Sequence, residues 1–298
     1  MRVPRFLRLA GAALGLLALA FVARVVSGSV RATEVLLHPP RHPVALSPGQ
    51  PPLPGSLDVS FVTPDGVTLR GWYVPSRNRA AVVLCHGLGE NRTQMMFEAQ
   101  TLVRAGYGAL LFDSRGHGES GGDLVTWGDR ERRDLAAALD FLSKRPDVDP
   151  ERLGAIGFSL GGAMALLVAE SDPRLKAVVA MGTFVSLEDE LRWNFRRWGP
   201  LSALPAIWTM KHAGVQVDEV RPIDGLCRIA PRPVLFVFGS DDPYVPLAHR
   251  QRLIAAACEP KGIWQIEGAG HGGYDKVAPA AYPHRLLDFL NPVLMNRP

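Results

Sequence analysis

Ser159 lies in Gly157-Phe158-Ser159-Leu160-Gly161, between an apolar run that reads as a strand (152–158) and a run of strong helix formers (162–170). A strand that turns sharply into a helix through Gly-x-Ser-x-Gly exposes the serine hydroxyl at the sheet edge. The helix N-terminus beside it favours negative charge. The same pattern occurs again at Gly118-Glu119-Ser120-Gly121-Gly122, which follows Arg115-Gly116-His117 and leads into Gly122-Asp123 rather than into a helix. Context therefore selects Ser159 over Ser120 as the nucleophile.

A serine hydroxyl is a weak nucleophile until a histidine takes its proton and an acid orients that histidine. The chain has eight histidines. The chain order serine, acid, histidine leaves His212, His249, His271 and His284. His271 follows the apolar strand 262–266 in the glycine-rich loop Gly268-Ala269-Gly270-His271, where α/β enzymes place their chemistry. His249 and His284 fall in runs that read as helix, and His212 in an irregular basic segment; all three read as solvated surface residues. The acid is expected after the buried strand 233–238, in Gly239-Ser240-Asp241-Asp242-Pro243-Tyr244-Val245-Pro246. Only one of the adjacent carboxylates can face the histidine, and Pro243, stiffening the turn just after it, favours Asp242 over Asp241.

Charge that develops on an attacked carbonyl needs preorganised donors. The N–H of Leu160 follows the nucleophile. A second donor is expected in His86-Gly87-Leu88-Gly89, after the strand 80–85, with the Leu88 N–H the best placed. His86 reads as bracing that loop rather than as a second base.

With these pieces in order, the chain resembles the α/β-hydrolase superfamily, in its serine-aminopeptidase and monoacylglycerol-lipase-like branch. The matching segments are His86-Gly87-Leu88-Gly89, 113–120, the Ser159 elbow, 239–246 and Gly270-His271, spread over roughly residues 57–290. The resemblance implies Ser159, Asp242 and His271 as the catalytic triad and assigns 113–120, with Ser120 in it, to a structural loop. It implies a mechanism more firmly than a substrate, since the superfamily includes esterases, lipases, thioesterases, peptidases and acyltransferases. Dehalogenase and epoxide-hydrolase chemistry is disfavoured, because that part of the superfamily carries an aspartate where Ser159 stands.

The elements that must position these residues follow from periodicity. Alternating runs around Pro64-Asp65-Gly66 predict an antiparallel hairpin (57–62, 67–74), after which strands alternate with helices. That alternation predicts a mostly parallel, doubly wound sheet covered on both faces. It breaks between Thr183 and Arg232, predicting a small helical cap inserted after the sixth core strand. Trp193, Trp198 and Trp208 in that insertion are candidates for lining an acyl pocket.

Arginines at 2, 5 and 8 precede fifteen uncharged residues, 9–23. At helical rise that run spans about 22 Å, and Val25 and Val26 with snorkelling arginines extend it toward a hydrocarbon core of about 30 Å. A retained membrane anchor and a cleaved signal, with Ala18-Leu19-Ala20 as the cleavage site, share this layout. Either puts the catalytic domain outside the cytoplasm. Three units follow: 1–27 as anchor or signal, 28–56 as a proline-rich linker, and 57–298 as the hydrolase domain with its cap at about 183–232. The net charge of +4 includes the leading arginines, and without a basic stripe nucleic acid is not an expected partner. No cofactor is implied, and no Cys, His and carboxylate cluster has metal-site spacing. Of three cysteines, Cys85 reads as a buried strand residue, while Cys227 and Cys258 are left open between free thiols and a pair.

The leading expectation is a hydrolase of small acyl compounds, carboxylic esters foremost. A peptidase, thioesterase or acyltransferase on the same triad is the alternative, and a non-catalytic binding protein on this scaffold is the alternative of another class.

Overall fold

A computed structural model describes residues 5–45, 53–199 and 202–295, apart from the Trp198 side chain. Its centre is an eight-stranded sheet in the order β1-β2-β4-β3-β5-β6-β7-β8. β1 (Leu57–Val62) and β2 (Thr68–Val74) form the hairpin, and β2 runs antiparallel to β4 (Gly108–Phe112). β3 (Ala81–Cys85), β4, β5 (Leu153–Phe158), β6 (Leu175–Met181), β7 (Val234–Gly239) and β8 (Lys261–Ile266) are parallel. The central strands are buried along their length, so they are continuous apolar runs rather than alternating ones.

Helices cover both faces. α3 (Glu131–Ser143), α4 (Leu160–Ala169), α7 (Pro222–Ile229) and α8 (Leu247–Ala256) close one side, through Leu139, Met164, Leu226 and Leu253 among others. On the other, α2 (Met96–Arg104) and α10 (Ala281–Leu294) supply Leu102, Leu286 and Leu290. A short α9 (Tyr274–Val277) precedes α10. The insertion after β6 holds α5 (Leu187–Asn194), a 3-10 turn (Arg196–Trp198) and α6 (Ala203–His212). The cap is smaller than the segment 183–232, because Leu226 and Ile229 of α7 pack into the core beside α4. A disulfide joins Cys227 at the end of α7 to Cys258 after α8.

The amino-terminal helix departs most from the sequence reading. α1 runs without a break from Arg5 to Leu37, beyond the anchor boundary expected at 27. Its buried residues Ser29, Thr33 and Leu37 recur every fourth position and form one stripe. The Ser29 hydroxyl donates to the Ser202 carbonyl at 2.9 Å, just before α6, and Leu37 joins a cap-side cluster with Trp127, Phe184 and Met210. The chain beyond stays docked. The Val125 amide donates to the Leu37 carbonyl at 2.8 Å, His38 Nδ1 bonds the Asp123 carbonyl at 2.6 Å, and Asn91 Nδ2 donates to the carbonyls of His42 and Pro43. Residues 28–45 are therefore pinned structure rather than a linker, because a buried polar and apolar stripe holds them. Of the rest of the expected linker, 46–52 lies outside the described residues, and 53–56 forms a turn before β1 in which Leu53 is buried.

Candidate active site

Ser159 stands between β5 and α4 with φ 53° and ψ −112°, a backbone conformation a non-glycine residue rarely adopts. The flanking glycines make it attainable. A Cβ on Gly157 would run into the backbone of Gly161, and one on Gly161 into the Cys85 carbonyl at the end of β3. Nothing larger than glycine fits either position, which is the steric content of the Gly-x-Ser-x-Gly pattern.

His271 comes from the loop after β8, and its Nε2 lies 3.0 Å from Ser159 Oγ. Its Nδ1 lies 2.8 Å from Asp242 Oδ2, in the loop after β7. Asp242 is buried, and its other oxygen accepts the amides of Tyr244 at 2.8 Å and Val245 at 3.1 Å. Asp241 is bonded to Ser240 Oγ instead and stays on the exposed side. The acid loop has a brace that the sequence reading missed. The buried Arg250 guanidinium on α8 donates to the Val245 carbonyl at 2.7 Å and the Asp242 carbonyl at 3.2 Å. The imidazole is flanked by Phe158 and Tyr244, with ring centroids 4.9 Å and 5.0 Å away. Three residues from three separate loops thus form one chain of hydrogen bonds at the carboxyl edge of the sheet. Such a chain can carry the serine proton onto the imidazole while the carboxylate faces the charge that develops there.

The loop after β3 is held by two histidines. His86 Nε2 accepts the Ser114 amide at 3.0 Å, so its Nδ1–H donates to the Gly87 carbonyl at 2.7 Å. His117 repeats the arrangement: Nε2 accepts the Gly89 amide at 3.0 Å and Nδ1–H donates to the Arg115 carbonyl at 2.9 Å. Each ring needs one bare nitrogen, and burial favours the same neutral state, pushing His86 down to about 3 and His117 below its ordinary value. The Gly87 amide is taken by Gln94 Oε1 at 2.7 Å. With Gly87 and Gly89 both engaged, the Leu88 amide has no acceptor among the described residues. Leu88 lines the cavity together with Ser159.

Ser120 is buried away from this site. Its hydroxyl donates to the Asp113 carbonyl at 2.5 Å and accepts the Arg70 amide at 2.8 Å, tying the 113–120 loop to β2. His212 stacks on Trp208, and His249 faces Trp193; the ring bonded to Ser159 is that of His271.

Ser159 and His271 open into a cavity of about 930 Å³. Its apolar wall is made by Trp127, Phe158, Phe195, Tyr244, Leu88 and Leu36. Of the tryptophans expected to line it, Trp193 and Trp208 do not. Trp193 turns its Nε1–H to the Pro243 carbonyl at 2.9 Å, fastening α5 to the acid loop, and Trp208 is 61% exposed on α6. The side chain of Trp198 lies outside the described residues. Composition alone pointed to the cap because aromatics cluster there. The helix α1, which contributes a whole face to the cavity, spans segments that the sequence reading divides between an anchor or signal (1–27) and a linker (28–56). Glu190 of α5 also lines the cavity and is buried; one oxygen accepts from Asn194 at 2.8 Å and the other has no partner among the described residues, and burial raises its carboxyl to about 7.

Comparison with known proteins agrees with this architecture. The profile of the serine aminopeptidase family S33 matches residues 76–218. An uncharacterized protein of Mycobacterium tuberculosis is 34% identical over 222 residues, spanning 74% of this chain and 73% of its own. A polyketide transferase of Stachybotrys chlorohalonatus is 38% identical over a shorter stretch of 131 residues, 41% of this chain and 43% of its own. Among solved structures, an esterase of Pyrococcus furiosus superposes with a TM-score of 0.72 over 87% of this chain and 98% of its own, at 24% identity, a likeness of fold.

Proposed function

The chain belongs to the S33 serine aminopeptidase family of the α/β-hydrolases, and from that premise we propose that it cleaves acyl compounds, carboxylic esters foremost, through Ser159, His271 and Asp242. The observation that carries this reading is the position of His271, within hydrogen-bond reach of both Ser159 Oγ (3.0 Å) and Asp242 Oδ2 (2.8 Å). Ser159 Oγ attacks the acyl carbonyl as His271 Nε2 takes its proton. The amides of Leu88 and Leu160 donate to the oxyanion. His271 then protonates the leaving alcohol, and a water molecule, deprotonated by the same ring, releases the acid from Ser159. Asp242 keeps the ring oriented and stabilises its positive charge, while its backbone amide partners hold the carboxylate in place.

The helix α1 is read as a membrane anchor that keeps the catalytic domain outside the cytoplasm. Supporting it are its 33 residues, an apolar window of mean hydropathy 2.2 with none of it buried, and the Cys227–Cys258 disulfide, a bond favoured in oxidising compartments. Transfer of the acyl group to an acceptor alcohol would use the same three residues. The transferase named among the relatives brings that second reading here.

Ser159→Ala is expected to lower turnover of short p-nitrophenyl esters at least about a thousandfold without changing the thermal unfolding midpoint. An unaltered rate in that variant would refute the assignment. An aminoacyl amide and an acceptor alcohol in the same assay separate hydrolysis of esters from amide cleavage and from transfer.

A further inference from the structure

The cavity above Ser159 is closed only in part by the hydrolase domain. Phe21, Arg24, Gly28, Arg31, Ala32 and Leu36 all line it, and their spacing places them on one face of α1. The small residues leave room: a Cβ on Gly28 would meet nothing within 4 Å. Upstream of this face the same unbroken helix is exposed and apolar, with Leu14, Leu16, Leu17 and Leu19 each at least 66% exposed. No hinge or loop separates the segment suited to a bilayer from the segment that walls the catalytic cavity. A helix anchored through its first half therefore holds the cavity mouth at the lipid headgroup layer.

The charges on that wall have a direction. Arg24 and Arg31 lie two turns apart, about 10 Å along the helix, and both side chains are exposed and line the cavity. Neither guanidinium has a hydrogen-bond or ion-pair partner among the described residues. Arg197 adds a third guanidinium to the lining, and Glu90 and Glu190 the opposing carboxyls. Both carboxyls lie outside α1, so the wall that α1 itself supplies is cationic. Guanidinium is the side chain best matched to a phosphate or carboxylate at a membrane surface.

We propose that this cavity takes an acyl ester of an anionic amphiphile drawn from the membrane that holds α1. Arg24 and Arg31 bind the anionic head, the acyl chain lies along Phe158, Phe195 and Trp127, and the ester carbonyl reaches Ser159. The inference rests on the acyl-hydrolase reading for its chemistry, in which the acyl C–O bond breaks, water adds hydroxide to the acyl carbon, and the head leaves as an alcohol with a proton. The recognition itself needs no turnover.

The test uses the full chain in lipid nanodiscs with Ser159→Ala as background, so that binding is read without hydrolysis. The probes are dodecyl phosphate and the uncharged dodecyl glucoside, followed through the fluorescence of Trp127 and its neighbours. In this background dodecyl phosphate is expected to bind more tightly than the glucoside. Adding Arg24→Gln and Arg31→Gln should reduce that preference about tenfold or more, and Gly28→Leu, which fills the open space, should weaken both probes. No preference for the phosphate, or a preference that survives loss of both arginines, overturns the proposal. If the preference behaves as expected while Ser159 of the wild-type chain fails to label with a fluorophosphonate, the hydrolase reading falls and the anionic site stands.

Discussion

At the scale of single residues, the carboxyl of Glu190 makes the most distinctive demand on the protein. It is buried with one oxygen unpartnered among the described residues, and burial raises it from an ordinary 4.5 to about 7. The folded state therefore binds a proton that the unfolded chain gives up earlier. Its stabilising effect is complete below pH 4.5 and is lost as pH rises through about 7. Glu190→Gln should then be stabilised relative to wild type at pH 8 by on the order of 2–3 kcal/mol more than at pH 4. Chemical denaturation at the two pH values measures this, and an equal difference at both would contradict it. Nothing in the sequence marked Glu190, since a glutamate near the start of an amphipathic helix is ordinarily solvated. Ser159, Asp242 and His271 were legible because each sits in a loop of glycines and turn residues directly after an apolar run. Arg250 was not, because its partners are backbone carbonyls, which carry no residue signature.

At the scale of elements, the strands and covering helices follow from apolar runs and their periods. The interval 28–56 does not. Its prolines and polar residues suggest a tether, yet the stripe Ser29, Thr33, Leu37 continues α1 onto the cap. A four-residue repeat of mixed polar and apolar side chains is invisible as hydropathy and becomes apparent only against the surface that buries it. Leu37 is fully buried among Val125, Trp127 and Met210. Leu37→Ala should cost about 2–4 kcal/mol, read as a lower urea midpoint, whereas the same change in a loose linker would leave the midpoint unmoved. The cap tryptophans misled for a related reason: an aromatic ring shows that apolar area is to be buried, not which surface buries it. Trp193 spends its N–H on the acid loop and its ring on His249 of α8 and on Arg196.

At the scale of the whole molecule, the doubly wound sheet gathers the ends of β5, β7 and β8 on one edge, and α1 closes the space above them. In the proposed mechanism that convergence, which brings His271 to a serine 112 residues earlier in the chain, turns a weakly nucleophilic alcohol into a reactive one. A second Gly-x-Ser-x-Gly serine, Ser120, provides an internal control, because its hydroxyl is buried and spent on backbone groups. The most direct measurement is to treat the full chain with a fluorophosphonate and locate the adduct by peptide mass spectrometry. The account predicts one phosphonylated residue, Ser159, and loss of labelling in His271→Ala. An adduct on Ser120, or labelling of Ser159 undiminished without the His271 ring, would contradict it.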